Sequence, residues 1–137
     1  MVIDMTPAPV GKAPLWAGRA LSGIAILFFA MDGAMKLARL PMVAEASAGL
    51  GWPADAATLY TLAALLLGSA VLYAIPRTAV LGAILLTGYL GGAVATHVRV
   101  GSPLFSHALF GVYLGIIVWG GLWLRDPRLR ALIPLRR

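Results

Sequence analysis

Gly88-Tyr-Leu-Gly-Gly-Ala-Val-Ala-Thr-His-Val-Arg-Val-Gly101 is the stretch on which the reading of this chain depends. It lies in an apolar run, yet it holds three closely spaced glycines (Gly88, Gly91 and Gly92) together with Tyr89, Thr96, His97 and Arg99. A membrane segment carries polar groups where something is bound, paired or packed closely, because each is costly to keep in hydrocarbon. The stretch is therefore expected to be both a membrane-spanning helix and one wall of any functional site.

Composition supports the membrane reading. The chain has 137 residues, 61% of them hydrophobic and only 12% charged, against about 25% charged in an ordinary soluble domain. It lacks the polar surface to cover itself in water. There is no cysteine, which excludes disulfides, iron–sulfur clusters, thiolate zinc sites and thiol redox chemistry within the chain. The net charge of +6 does not point to nucleic acid. Five of the eleven basic residues, Arg125, Arg128, Arg130, Arg136 and Arg137, follow directly on an apolar span, the pattern of a juxtamembrane segment drawn to anionic headgroups.

Outward from the central stretch, four apolar runs approach the ~20 residues that a helix needs to cross ~30 Å of hydrocarbon. They cover residues 15–37, 54–75, 79–98 and 105–124. Prolines mark their ends: Pro41 lies beyond the first, Pro53 suits the first turn of the second, Pro76 stops it, and Pro103 precedes the fourth. The short links at 76–78 and 99–104 make consecutive helices antiparallel neighbours. The longer link, 38–52, is expected to hold a small helix opened by Pro41 and closed by Gly49, with Glu45 toward water, Met42, Val43, Ala46 and Leu50 toward lipid or the bundle, and Trp52 at the interface.

The expected fold is all-α, an integral membrane four-helix bundle with both termini cytoplasmic. Residues 1–14 form an N-terminal cytoplasmic arm, 15–124 the membrane domain and 125–137 a basic cytoplasmic tail. A cleaved signal peptide is the competing reading of the first run, which is too long for an h-region and has no clean small-x-small site after it. Orientation comes from lysine and arginine alone: Lys12, Arg19, Arg77 and the five C-terminal arginines lie on the side of the termini, against Lys36, Arg39 and Arg99 on the other. Trp16, Tyr73, Trp119 and Trp123 are expected at the inner headgroups.

The pairs Gly18-x-x-x-Ser22, Gly88-x-x-x-Gly92 and Gly111-x-x-x-Gly115 each put two small residues on one helix face. Packing within the bundle is the first expectation for them, and a homodimer face the alternative.

The predicted topology gathers Asp32 and Lys36 from the first helix, His97 and Arg99 from the third, and His107 from the fourth, at the end away from the termini. Asp32 and Lys36, at i and i+4, share a face and can pair. Asp32 is read either as a structural ion pair or as a proton-accepting or ligand-binding carboxylate. Histidine ordinarily titrates near neutral pH, so His97 is a candidate for a proton relay or a quinone headgroup contact. His97, His107 and Asp32 show no recognised ligand spacing, and no metal site is expected. Tyr89, Gly92, Ala93 and Thr96 lie near one helix face, where the glycines leave a notch suited to a flat apolar ligand such as a quinone or a lipid tail. No nucleophile elbow, phosphate loop or zinc-protease motif occurs, so no catalytic residue is assigned. The ligand-binding set is Asp32, Lys36, Tyr89, Gly92, His97 and Arg99.

With those residues in view, the chain resembles the DoxX-like family of small four-helix bacterial membrane proteins. The matching pieces are Arg19, the run Met31–Leu37, Leu50-Gly-Trp-Pro53, the stretch quoted first, and Leu124-Arg-Asp-Pro127. The resemblance implies a four-helix bacterial inner-membrane protein without implying one reaction. Some relatives look like membrane subunits of thiosulfate–quinone or other thiol and oxidative-stress systems. The functional expectation is an accessory subunit, not catalytic on its own, that binds a quinone or lipid and supports a redox or thiol-enzyme partner. The alternatives are a quinone-linked oxidoreductase subunit relaying protons and a structural scaffold or chaperone.

Overall fold

The computed structural model describes residues 11–53 and 55–136. Most of the expected N-terminal arm (residues 1–10), Ala54 at the expected start of the second span, and Arg137 lie outside them. The regular structure of the described residues is all helical, with no strand.

Helix α1 (Lys12–Leu37) opens three residues ahead of the sequence expectation. Gly11 is extended at the N-cap, and the first intrahelical bond runs from Leu15 N to the Gly11 carbonyl at 3.1 Å. Pro14 thus falls among the first N–H positions, which have no helical partner to lose, and its ring is tolerated. Helix α2 (Pro41–Gly49) has the predicted bounds, with Pro41 at its first position. The residue that closes it in the left-handed conformation is Gly51 (φ 86°) rather than Gly49. Trp52 N then bonds back to the Ser47 carbonyl at 2.9 Å, a Schellman closure. Helix α3 is Ala56–Ala74, and a single 3-10 turn at Pro76–Thr78 leads into α4 (Ala79–Arg99). A π-helical turn at Leu104–Ala108 precedes α5 (Phe110–Arg125), and a last short turn, α6 (Pro127–Arg130), is capped by Asp126.

Four helical segments, Lys12–Leu37, Ala56–Ala74, Pro76–Arg99 and Leu104–Arg125, are long and apolar enough to cross a membrane. Their outward faces carry large apolar side chains, among them Leu27 at 72% and Ile116 at 65% exposure. Water would not tolerate a continuous surface of that kind, and lipid does. The chain is a multi-pass membrane protein.

The helices form a closed square. Helix α1 packs on α3 and α5, and α4 packs on the same two from the opposite corner. Hydrocarbon gives helices little hydrophobic reason to associate, so close van der Waals approach carries the packing. Ala25, Ala63 and Ala83 are fully buried, and Ala25 and Ala83 share a core with Phe29, Leu66, Leu86 and Val118. A Cβ on Gly18 would strike the Gly121 carbonyl, and one on Gly121 would strike Ser22. The Gly18/Ser22 pair therefore packs inside the chain, as does Gly111 against Leu90 and Val94. Gly88, Gly92 and Gly115 face open space.

At the end of the bundle where α1 begins, one tyrosine ties three helices together. Tyr73, the last residue but one of α3, is completely buried against the neighbouring helices. Its hydroxyl donates to the Val118 carbonyl at 2.6 Å and is 2.7 Å from Ser22 Oγ. Arg125 donates to the same serine at 3.2 Å and lies over the tyrosine ring. Partners from α1 and α5 make burial of that hydroxyl affordable.

Asp55 caps α3, its carboxylate accepting from Thr58 N at 2.8 Å. The hydrogen bond with Thr58 favours the ionised form and holds this carboxyl below its ordinary value. A group whose folded pKa is depressed stabilises fully above its unfolded pKa and loses that contribution as pH falls through the folded one. Asp55→Asn should keep the cap and remove this pH dependence. Melts of the two proteins in detergent should differ in slope only on the acidic side, and identical profiles would count against the cap.

Candidate functional site

Local capping builds the end of the bundle away from the termini. Helix α4 stops at Gly101 (φ 74°), and Ser102 N bonds back to the His97 carbonyl at 3.0 Å. This second Schellman closure returns Ser102 over the last turn, so that its hydroxyl lies 3.0 Å from His97 Nδ1. Beyond it, the π-helical turn widens the backbone register, with Ala108 N reaching the Pro103 carbonyl and Leu109 N the Leu104 carbonyl. Such turns are uncommon and recur at functional sites. Here the turn carries His107, whose Nδ1 is 2.7 Å from Ser106 Oγ, and the two imidazole rings stand 6.0 Å apart.

Between these elements lies a cavity of about 540 Å³, within the range of about 300–1,000 Å³ usual for small-molecule sites. Helix α1 contributes Phe28, Asp32, Met35 and Lys36 to it, and α4 contributes Gly88, Tyr89, Gly92, Ala93, Thr96 and His97. Helix α5 and the turn before it add His107, Phe110 and Leu114. Helix α2 covers the remaining side with Met42, Val43, Ala46 and Ser47, followed by Leu50 and Trp52. Most of this lining is apolar or aromatic. Its charged groups are Asp32 and Lys36, joined at 2.6 Å across one helical turn with the Lys36 side chain only 12% exposed.

Of the residues expected from sequence to bind a ligand, Asp32, Lys36, Tyr89, Gly92 and His97 meet at this cavity. Arg99 is not in its wall. Its guanidinium instead donates to the Leu50 carbonyl at 2.8 Å, beyond the last turn of α2. Sequence reasoning left His107 out of the binding set, because no spacing rule relates a residue in an irregular turn to the face of a neighbouring helix. It also missed the contributions of Phe28 and Phe110, whose rings pair at 5.6 Å; their apolar character gave no signal beyond membrane burial.

The arrangement can hold a flat or elongated apolar body against the Gly88–Gly92 notch while a polar head meets Lys36, Asp32 and the imidazoles. No group of three or more metal-ligating side chains occurs among the described residues. The sequence model of the DoxX-like family matches residues 20–121, which contains the second and third spans in full, most of the first and fourth, and the whole cavity wall. No curated protein and no solved structure matches the chain.

Proposed function

The chain belongs to the DoxX-like family, and on that premise we propose that it is an accessory membrane subunit whose cavity binds a quinone or a lipid in support of a redox partner. The observation that carries this reading is the cavity's division into an apolar wall and a polar end. Phe28, Leu114 and the Gly88–Gly92 face form the wall, and Lys36, Asp32, His97 and His107 lie at the end. Lys36 donates to a carbonyl or phosphate oxygen, and the imidazoles donate or accept according to tautomer. Nothing in the cavity calls for a catalytic step within this chain. The location we assign is a bacterial inner membrane with both termini cytoplasmic, a reading supported by the excess of lysine and arginine on the side of the termini.

The test is organic extraction and mass spectrometry of the protein purified in mild detergent, beside Asp32→Asn and Gly92→Leu. A Cβ on Gly92 meets no atom within 4 Å, so leucine there should fill the cavity while leaving the bundle folded. Stoichiometric quinone in the parent, lost in both variants, is the expected result. Bulk phospholipid alone in all three samples would rule out the redox reading.

A further inference from the structure

Helix α2 is the least anchored wall of the cavity. It touches α1 only slightly and shares no extensive contact with α3, α4 or α5, yet Met42, Val43, Ala46, Ser47 and Leu50 all face the cavity. Both of its ends are left-handed backbone positions: Arg39 (φ 53°) before it and Gly51 (φ 86°) after it. At Arg39 a residue with a Cβ occupies a conformation that mostly glycine adopts. Two sharp reversals flanking a short helix are the places where a small dihedral change swings the whole element.

One long-range polar bond holds the far end of this helix. Arg99 Nη2 donates to the Leu50 carbonyl at 2.8 Å, and the guanidinium fills the space where a Cβ on residue 51 would stand. Glycine at 51 therefore serves two purposes, the left-handed turn and room for Arg99. We propose that α2 is a hinged cover over the cavity, that Arg99 is its latch, and that the ligand enters and leaves beneath α2 when the latch opens. Arg99 is thus a positioning residue rather than a ligand contact. The inference rests on the cavity being a ligand site and adds how that site is reached. A lipophilic molecule dissolved in the same leaflet meets α2 first, because Met42 and Trp52 are exposed there.

The absence of native cysteine allows a direct measurement. Spin labels at Ala48→Cys on α2 and Ile116→Cys on α5, both exposed positions outside the cavity wall, report the distance between cover and bundle by pulsed electron paramagnetic resonance. The parent should give one narrow distribution. Arg99→Ala should add a longer-distance population with the melting temperature unchanged, and Gly51→Ala, which crowds the guanidinium and also strains the left-handed turn, should add the same population at a lower melting temperature. Identical distributions in the parent and both variants would overturn the latch, as would a parent distribution already as broad as theirs. The measurement does not require the cavity's occupant to be identified. A moving cover on a protein that extracts without quinone would retire the quinone reading alone.

Discussion

Tyr73→Ala should destabilise the bundle by about 3–5 kcal/mol, the range for emptying a fully buried aromatic site. Tyr73 is 0% exposed and lies in the main core with Phe29, Leu66, Leu86 and Val118. Removing the ring leaves a void at the junction of α1, α3 and α5, and separates Ser22 from the hydroxyl 2.7 Å away. Tyr73→Phe separates the two contributions. It keeps the ring and removes only the bonds to Val118 and Ser22, where interhelical hydrogen bonds in membranes average about 0.6 kcal/mol. Packing should therefore outweigh hydrogen bonding severalfold at this site. Equilibrium unfolding in mixed SDS and mild-detergent micelles would measure both, and equal losses in the two variants would contradict that ordering.

A second large effect is expected at Gly82. Any Cβ there would overlap the backbone of Leu72 and Tyr73, which no rotamer change can relieve. The 3-10 turn at Pro76–Thr78 ties α3 to α4, so the helices cannot part at this point without distorting the link. Gly82→Val should cost about 3 kcal/mol or more, the upper end of overpacking penalties. Gly88→Val, in the same helix, is the control. No atom lies within 4 Å of its Cβ position, so its effect should stay within about 0.5 kcal/mol. If both variants unfold alike, glycine is needed along α4 for a reason other than the close approach to α3.

The contrast between these two glycines shows what a sequence can disclose about such a fold. Helical periodicity placed Asp32 with Lys36, and Tyr89 with Gly92, Ala93 and Thr96, because each group shares one face of one helix. Proline and hydropathy gave the spans and the small helix α2. Relations between helices were harder to read. Gly88 and Gly82 are chemically identical, and only the neighbour opposite makes one open and the other closed. Sequence placed Tyr73 near the end of its span but gave no sign that Ser22 and the Val118 carbonyl would partner its hydroxyl. Arg99 was expected to bind the ligand because the topology brings it to the same end as Asp32, Lys36 and His97, whereas its guanidinium donates to the Leu50 carbonyl instead. The topology placed His107 at the right end of the bundle, but the π-helical turn has no signature in side-chain pattern, so its place in the cavity wall was not legible.

The square arrangement of the helices also bears on how a ribosome and an insertion machinery must handle this chain. Helix α1 is the first of the four spans in chain order, yet the surface that accepts its Gly18 and Ser22 is the Gly121 face of α5, the fourth. Until α5 arrives, a nascent chain of three spans holds that small-residue face open to lipid or to whatever attends insertion. Ser22 and Tyr73 can already meet across α1 and α3. The Val118 carbonyl and the Arg125 guanidinium come only with α5, so the square can close only once all four spans have been made.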